Sequence, residues 1–218
     1  PSFAERCWRM AHGLAKEGKP VNWQGKTWAT LGDSITAANG YQPIVQEALG
    51  FAETLNYGKG GCPMSAGGDT DAGSTYRVGL AIDSVLECVT IFAGTNDYRL
   101  GKPLGSRNVN DPQTFIGAYV GLIESLLTRN PETRVNLWTP LQRNKDGYDT
   151  EAPNAAGHRL SDYVEAVLTL GRQYSLPVLD LYAESGYTKL TLPVFTYDGL
   201  HPNDRGHRRI ASLAIPFL

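Results

Sequence analysis

Five short apolar runs, each followed by a stretch of helical periodicity, constrain this chain more than any other feature it has. The runs are Thr27 to Leu31, Glu53 to Tyr57, Val89 to Ala93, Arg134 to Thr139 and Pro177 to Leu181. The helical patterns are Gln42 to Leu49, Val78 to Leu86, Thr114 to Thr128, Ser161 to Tyr174 and Asp204 to Ile215. Runs this short suit strands, and a helix between two strands is the crossover that parallel pairing requires. Repeated five times, the unit predicts an α/β fold: a parallel sheet covered by helices on both faces. At 218 residues the chain has room for one such domain and one sizeable core.

Composition excludes several functions. Lys plus Arg number 20 against 22 Asp plus Glu, a formal net charge of −2 that supplies no field for gathering a phosphate backbone, so no nucleic-acid partner is expected. The longest uncharged apolar stretches, such as Cys88 to Ala93, fall far short of the roughly 20 residues of a membrane span, so no membrane partner is expected either. The three cysteines, Cys7, Cys62 and Cys88, are odd in number and lack a CxxC pair, which speaks against a disulfide framework or a thiolate zinc site. Free, mostly buried thiols are expected.

Before the first strand, Phe3, Cys7, Met10 and Leu14 recur at helical spacing up to about Glu17, where Gly18 and Pro20 break the pattern. The expected organisation is an N-terminal helical arm over residues 1–25 and a main domain over 26–218. The arm's stripe calls for a cover, either its own domain, a larger parent chain or a second copy in a homo-oligomer. The start of the chain has neither an initiator Met nor an apolar signal core, so it reads as mature, trimmed or cut from something longer. An extracellular or virion-associated setting is expected over a cytoplasmic one.

In parallel α/β sheets, ligands bind at the carboxyl ends of the strands, so the residues after each run matter most. They are Gly32-Asp33-Ser34, Gly58-Lys59-Gly60-Gly61, Gly94-Thr95-Asn96-Asp97 and, near the C-terminus, Asp198-Gly199-Leu200-His201-Pro202. A serine hydroxyl becomes a nucleophile when a base removes its proton and a third group orients that base. Ser34 follows a strand on a glycine-containing turn, while Asp198 and His201, three residues apart on a turn closed by Pro202, supply orienter and base. The oxyanion of a tetrahedral intermediate needs donors, and the Ser34 and Gly61 backbone N–H groups and the Asn96 amide are the candidates, with Gly60 the alternative to Gly61.

The four clusters, in this order from Gly32 to His201, resemble the signature blocks of the SGNH hydrolases, also called the GDSL esterase and lipase family. The resemblance implies a three-layer αβα, flavodoxin-like fold with a five-stranded parallel sheet, and hydrolysis of esters without a cofactor. The second block departs from the family pattern, reading Gly-Lys-Gly-Gly-Cys where many members have a more polar Ser-Gly turn. A metal-dependent hydrolase is the competing reading, since Asp198, His201, Asp204 and His207 recur every three residues. A spacing of three drifts around a helix, and Asp204 suits the first turn of one, so no metal is expected. His12 and His158 fall in the arm and in a polar loop.

Two loops, Tyr98 to Asp111 and Leu141 to Leu160, are long for a compact domain, and loops on the ligand rim usually carry substrate contacts. They are polar and dotted with aromatics rather than apolar as a long-acyl trough would be. Tyr98, Arg99, Trp138 and Arg143 are therefore the candidate substrate contacts. The expected reaction is hydrolysis of short-chain esters, above all O-acetyl groups on a carbohydrate, with a small-molecule or polysaccharide ester as partner. The alternatives are a general short-chain esterase or lysophospholipase-like enzyme, or a carbohydrate-binding module of a phage tail or cell-surface protein.

Overall fold

The computed structural model describes residues 21–82 and 86–218. The stripe expected to form the N-terminal arm, with Cys7 and His12, lies outside the described residues. Five parallel strands form one sheet: β1 (Thr27–Gly32), β2 (Glu53–Asn56), β3 (Cys88–Phe92), β4 (Arg134–Trp138) and, after a small hairpin of β5 (Asn144–Lys145) and β6 (Tyr148–Asp149), β7 (Val178–Leu179). Their order across the sheet is β2-β1-β3-β4-β7, so the chain reverses direction of travel between β1 and β3. Ligand crevices in open sheets form outside such a switch point. Gly32 pairs with Phe92 and Phe92 with Trp138, which brings the carboxyl ends of β1, β3 and β4 level and starts their loops at one rim.

Alternation along the strands divides the core in two. Ala29, Leu31, Val89, Ile91, Val135 and Leu137 pack under the helices Phe115–Arg129 and Leu160–Tyr174. Trp28, Cys88, Phe92 and Trp138 pack on the other face under Gln42–Leu49 and Asp204–Phe217. Sheet and helices therefore form three layers, as expected. On the second face the Trp28 indole N–H donates to Thr90 Oγ1 (2.8 Å), whose hydroxyl donates to Asn136 Oδ1 (2.9 Å). This relay satisfies polar groups that would otherwise cost free energy in a dry layer.

Three boundaries differ from those expected. Trp23 is buried, stacks on Phe51 at 5.1 Å between centroids and donates its indole N–H to the carbonyl of Leu218. The domain thus begins before residue 26. The helix expected over Val78 to Leu86 is Thr75–Leu80, because Ser74 caps it by accepting the Arg77 N–H. The loop expected from Leu141 to Leu160 folds back on itself as the β5–β6 hairpin. Cys62 and Cys88 are free thiols, and burial pushes the Cys88 thiol up to about 12.

Candidate active site

Ser34 opens a one-turn helix, Ser34–Ala37, straight after β1. Asp33 caps that turn, its carboxylate accepting the Ile35 N–H at 2.9 Å. The cap fixes the backbone around Ser34 and leaves its side chain partly open to solvent. From the other end of the chain, Tyr197 N–H donates to the carbonyl of His201, and Thr196 bridges to Pro202. These contacts close a tight turn that carries Asp198 and His201 together. Just beyond it, Asn203 caps the C-terminal helix through the N–H groups of Arg205 and Gly206.

The turn delivers His201 to the serine. Ser34 Oγ lies 2.9 Å from His201 Nε2, and His201 Nδ1 lies 2.7 Å from Asp198 Oδ2. With the imidazole proton on Nδ1, His201 donates to Asp198 and accepts the Ser34 hydroxyl. Asp198 Oδ1 also accepts the backbone N–H groups of Leu200 and His201. Burial alone pushes Asp198 up, but hydrogen bonds from Lys145 and from the ring and backbone of His201 outweigh it and hold the carboxyl well below the usual range. It is therefore ionised at neutral pH.

The loop after β2 is knitted to the first block by Lys59 N–H, which donates to the carbonyl of Gly32 at 2.9 Å. Gly61 has φ +71, a conformation that side chains strain to adopt, and a Cβ there would meet open space. The positive φ singles out Gly61 over Gly60 as the glycine this loop requires. Asn96 stands beside it: its Nδ2 donates to the carbonyl of Cys62 (3.1 Å), while Arg99 Nε donates to Asn96 Oδ1 (3.2 Å) and Arg99 Nη2 to the carbonyl of Gly61 (3.4 Å). Arg99 thereby fixes which way the Asn96 amide faces. Under both, the buried Asp97 accepts the N–H groups of Met64 and Ser65 and the Ser65 hydroxyl. Burial raises Asp97 above the usual range against these bonds.

The structure brings Ser34, His201 and Asp198 together, and joins Gly61 and Asn96 in one loop cluster. It does not place three of the four expected substrate contacts at a surface. Trp138 is fully buried between Trp28, Tyr41 and Phe92. Tyr98 is fully buried, its hydroxyl donating to the carbonyl of Asp149 at 2.6 Å. Arg143 is 1% exposed and donates to Thr95 Oγ1 and the Thr95 carbonyl, with Tyr98 and Tyr148 against its guanidinium. These three expectations are corrected: the side chains build the rim from inside. Of the four, Arg99 alone stands half-exposed.

His207 turns inward, its ring against Tyr41 and so close to Gly40 that a Cβ there would lie 2.3 Å from it. Among the described residues no group of three or more His, Cys, Asp and Glu is placed to hold a metal ion. Lys145, which no sequence pattern marks, reaches Asp198 Oδ2 from the hairpin.

A five-stranded parallel sheet in the order β2-β1-β3-β4-β7, covered by helices on both faces, with a serine, a histidine and an aspartate hydrogen-bonded in series on its carboxyl rim, is the three-layer α/β fold of an SGNH-type hydrolase. The chain belongs to the GDSL-like lipase/acylhydrolase family, whose model matches residues 30–209. It is similar to a Lactobacillus plantarum protein of solved structure, 30% identical, with a TM-score of 0.79 over 89% of this chain and 97% of that one. A possible lipase from Chitinophaga pinensis is 25% identical, with a TM-score of 0.71 over 88% and 96%. An acetyl xylan esterase, 22% identical, shares the fold with a TM-score of 0.63 over 86% and 97%. No curated protein matches the sequence.

Proposed function

We propose that the chain is a serine esterase that removes short acyl groups, chiefly O-acetyl groups, from a carbohydrate. The observation that carries the reaction is the continuous hydrogen-bonded series from Ser34 Oγ through His201 to Asp198 Oδ2, at 2.9 and 2.7 Å. His201 Nε2 takes the Ser34 proton as Oγ attacks the acyl carbonyl. The N–H groups of Ser34 and Gly61 and the Asn96 amide receive the oxyanion. The alcohol leaves with the proton from His201, and water, deprotonated by the same nitrogen, frees the acid and restores Ser34. Asp198 stabilises the imidazolium formed in each half.

The carbohydrate side rests on the surface next to the acid–base turn. Two clefts of about 380 Å³ each share Asn144 and Lys189. One is lined by Thr196, Tyr197, Asp198 and Gly199, the other by Gln142, Asp149, Thr150 and Glu151. Tyr197, 74% exposed and adjacent to Asp198, offers an aromatic face among polar neighbours.

Relative kcat/KM on p-nitrophenyl acetate, butyrate and octanoate, followed by acetate release from acetylated oligosaccharides, tests the reading. Each methylene buried in a fitting trough adds about 0.8 kcal/mol, so a long-chain enzyme favours octanoate steeply, and a small acyl pocket reverses the order. Preference for acetate with release from a glycan is expected. Preference for octanoate refutes the small pocket, and activity on simple esters without release from glycans moves the assignment to a general short-chain esterase.

A further inference from the structure

The β5–β6 hairpin grips the acid–base turn. Asn144 N–H donates to the carbonyl of Gly199 at 2.8 Å, and Lys145 Nζ donates to Asp198 Oδ2, the oxygen that also receives His201 Nδ1. The approach depends on Gly199, whose φ is +81 and whose Cβ, if it had one, would lie 2.0 Å from Asn144 O. The hairpin is itself anchored from within. Arg143 and Thr150 exchange hydrogen bonds at its base, the Tyr98 hydroxyl donates to Asp149, and the buried Arg143 guanidinium holds Thr95, next to Asn96. Lys145 is therefore presented to Asp198 by a fixed element rather than by a loose surface chain.

We propose that Lys145 is a positioning residue of the acid–base pair, holding the Asp198 carboxylate in place and setting the pH range over which His201 works as a base. The proposal rests on the triad reading above. A carboxylate oxygen shared with an ammonium group stabilises an imidazolium less than one held by the imidazole alone, because part of its charge is already neutralised and a second cation faces the ring across it. The other charges around this group are Asp146, whose carboxylate is 4.0 Å from Lys145 Nζ, Asp33 below Ser34, Arg143 at the base of the hairpin, and Lys189, which lines the cleft beside Asp198. All four remain when Lys145 alone is changed.

The test compares Lys145→Met and Lys145→Gln, which remove the charge, with Lys145→Arg, which keeps it. Two pH profiles are recorded for each: kcat/KM on p-nitrophenyl acetate, and the rate at which a fluorophosphonate labels Ser34. A unit charge roughly 5 Å away is worth about half a pH unit even at the dielectric of water. The acid limb of both profiles should move up by at least that much in the Met and Gln variants and stay with the parent in the Arg variant. An unmoved limb in the charge-free variants, or an equal shift in Lys145→Arg, overturns the proposal while Ser34 labelling leaves the triad standing. If the parent is not labelled at Ser34, the triad reading falls and takes the proposal with it.

Discussion

Asp33 is a buried carboxyl with one strong reason to be there and one strong reason not to be. It caps the turn that presents Ser34, yet burial raises it from 3.8 to about 6, opposed by the Ile35 N–H and by the charges of His201 and Arg143, and aided by Asp97. With 3% of its surface exposed, solvent screening removes little of that shift. Between those two pH values the folded chain holds a proton that the unfolded chain has lost, so stability falls as pH rises through the window. Above it the cost is complete, about 3 kcal/mol at 1.36 kcal/mol per unit. Asp33→Asn keeps a side-chain oxygen for the cap, at which Asn and Asp are equivalent, and removes the charge. For a chain of this size each kcal/mol moves Tm by about 2–4 °C. The variant should therefore melt roughly 6 to 12 °C above the parent at about pH 8, the gain shrinking as pH falls and vanishing near pH 4. Differential scanning calorimetry across that range decides it. A gain independent of pH, or a loss at pH 8, refutes the reasoning, because either would mean that the ionised carboxylate is not the costly species.

Asn96→Ala should lower kcat by about 10² to 10³ and leave KM nearly unchanged, the loss expected for one oxyanion donor; steady-state kinetics in which KM rises alone would make Asn96 a binding or turn residue. Gly199→Ala forces a Cβ against the Asn144 carbonyl at a positive φ, a strain of order 1 to 3 kcal/mol. It should lower both Tm and kcat, and a variant with parental values of both would show that the hairpin does not hold the acid–base turn.

The fold was legible because the central strands β1, β3 and β4 are covered on both faces and read as short, mostly apolar runs bounded by turn residues, whereas the edge strand β2 is partly exposed. The helix before β3 starts earlier than its periodicity suggests, since its start depends on one hydroxyl of Ser74. Trp138 shows a different limit. It closes β4 on the same face as Asn136, and in a doubly covered sheet that position is buried whatever the residue, so the strand pattern itself pointed inward. An aromatic next to a polar loop resembles a surface residue by its neighbours in sequence, but the pleat decides which way it faces.

The site divides the same way. Ser34, Asn96, Asp198 and His201 could be read because each follows a strand or sits on a short local turn, where geometry is set within a few residues. The buried role of Arg143 and the contact of Lys145 could not, because both depend on a hairpin whose sequence, polar and free of apolar alternation, has the composition of solvated loop. Arginine is almost never fully buried without a partner, and here the partners are a threonine on another loop and two tyrosine rings. The hairpin therefore has its own internal reason to form, and that reason is long-range. With the Arg143 guanidinium seated against Thr95, Lys145 two residues on has a defined reach toward Asp198. A chain with the four signature blocks but without that seat would lose the contact that joins the loop after β3 to the turn carrying Asp198 and His201.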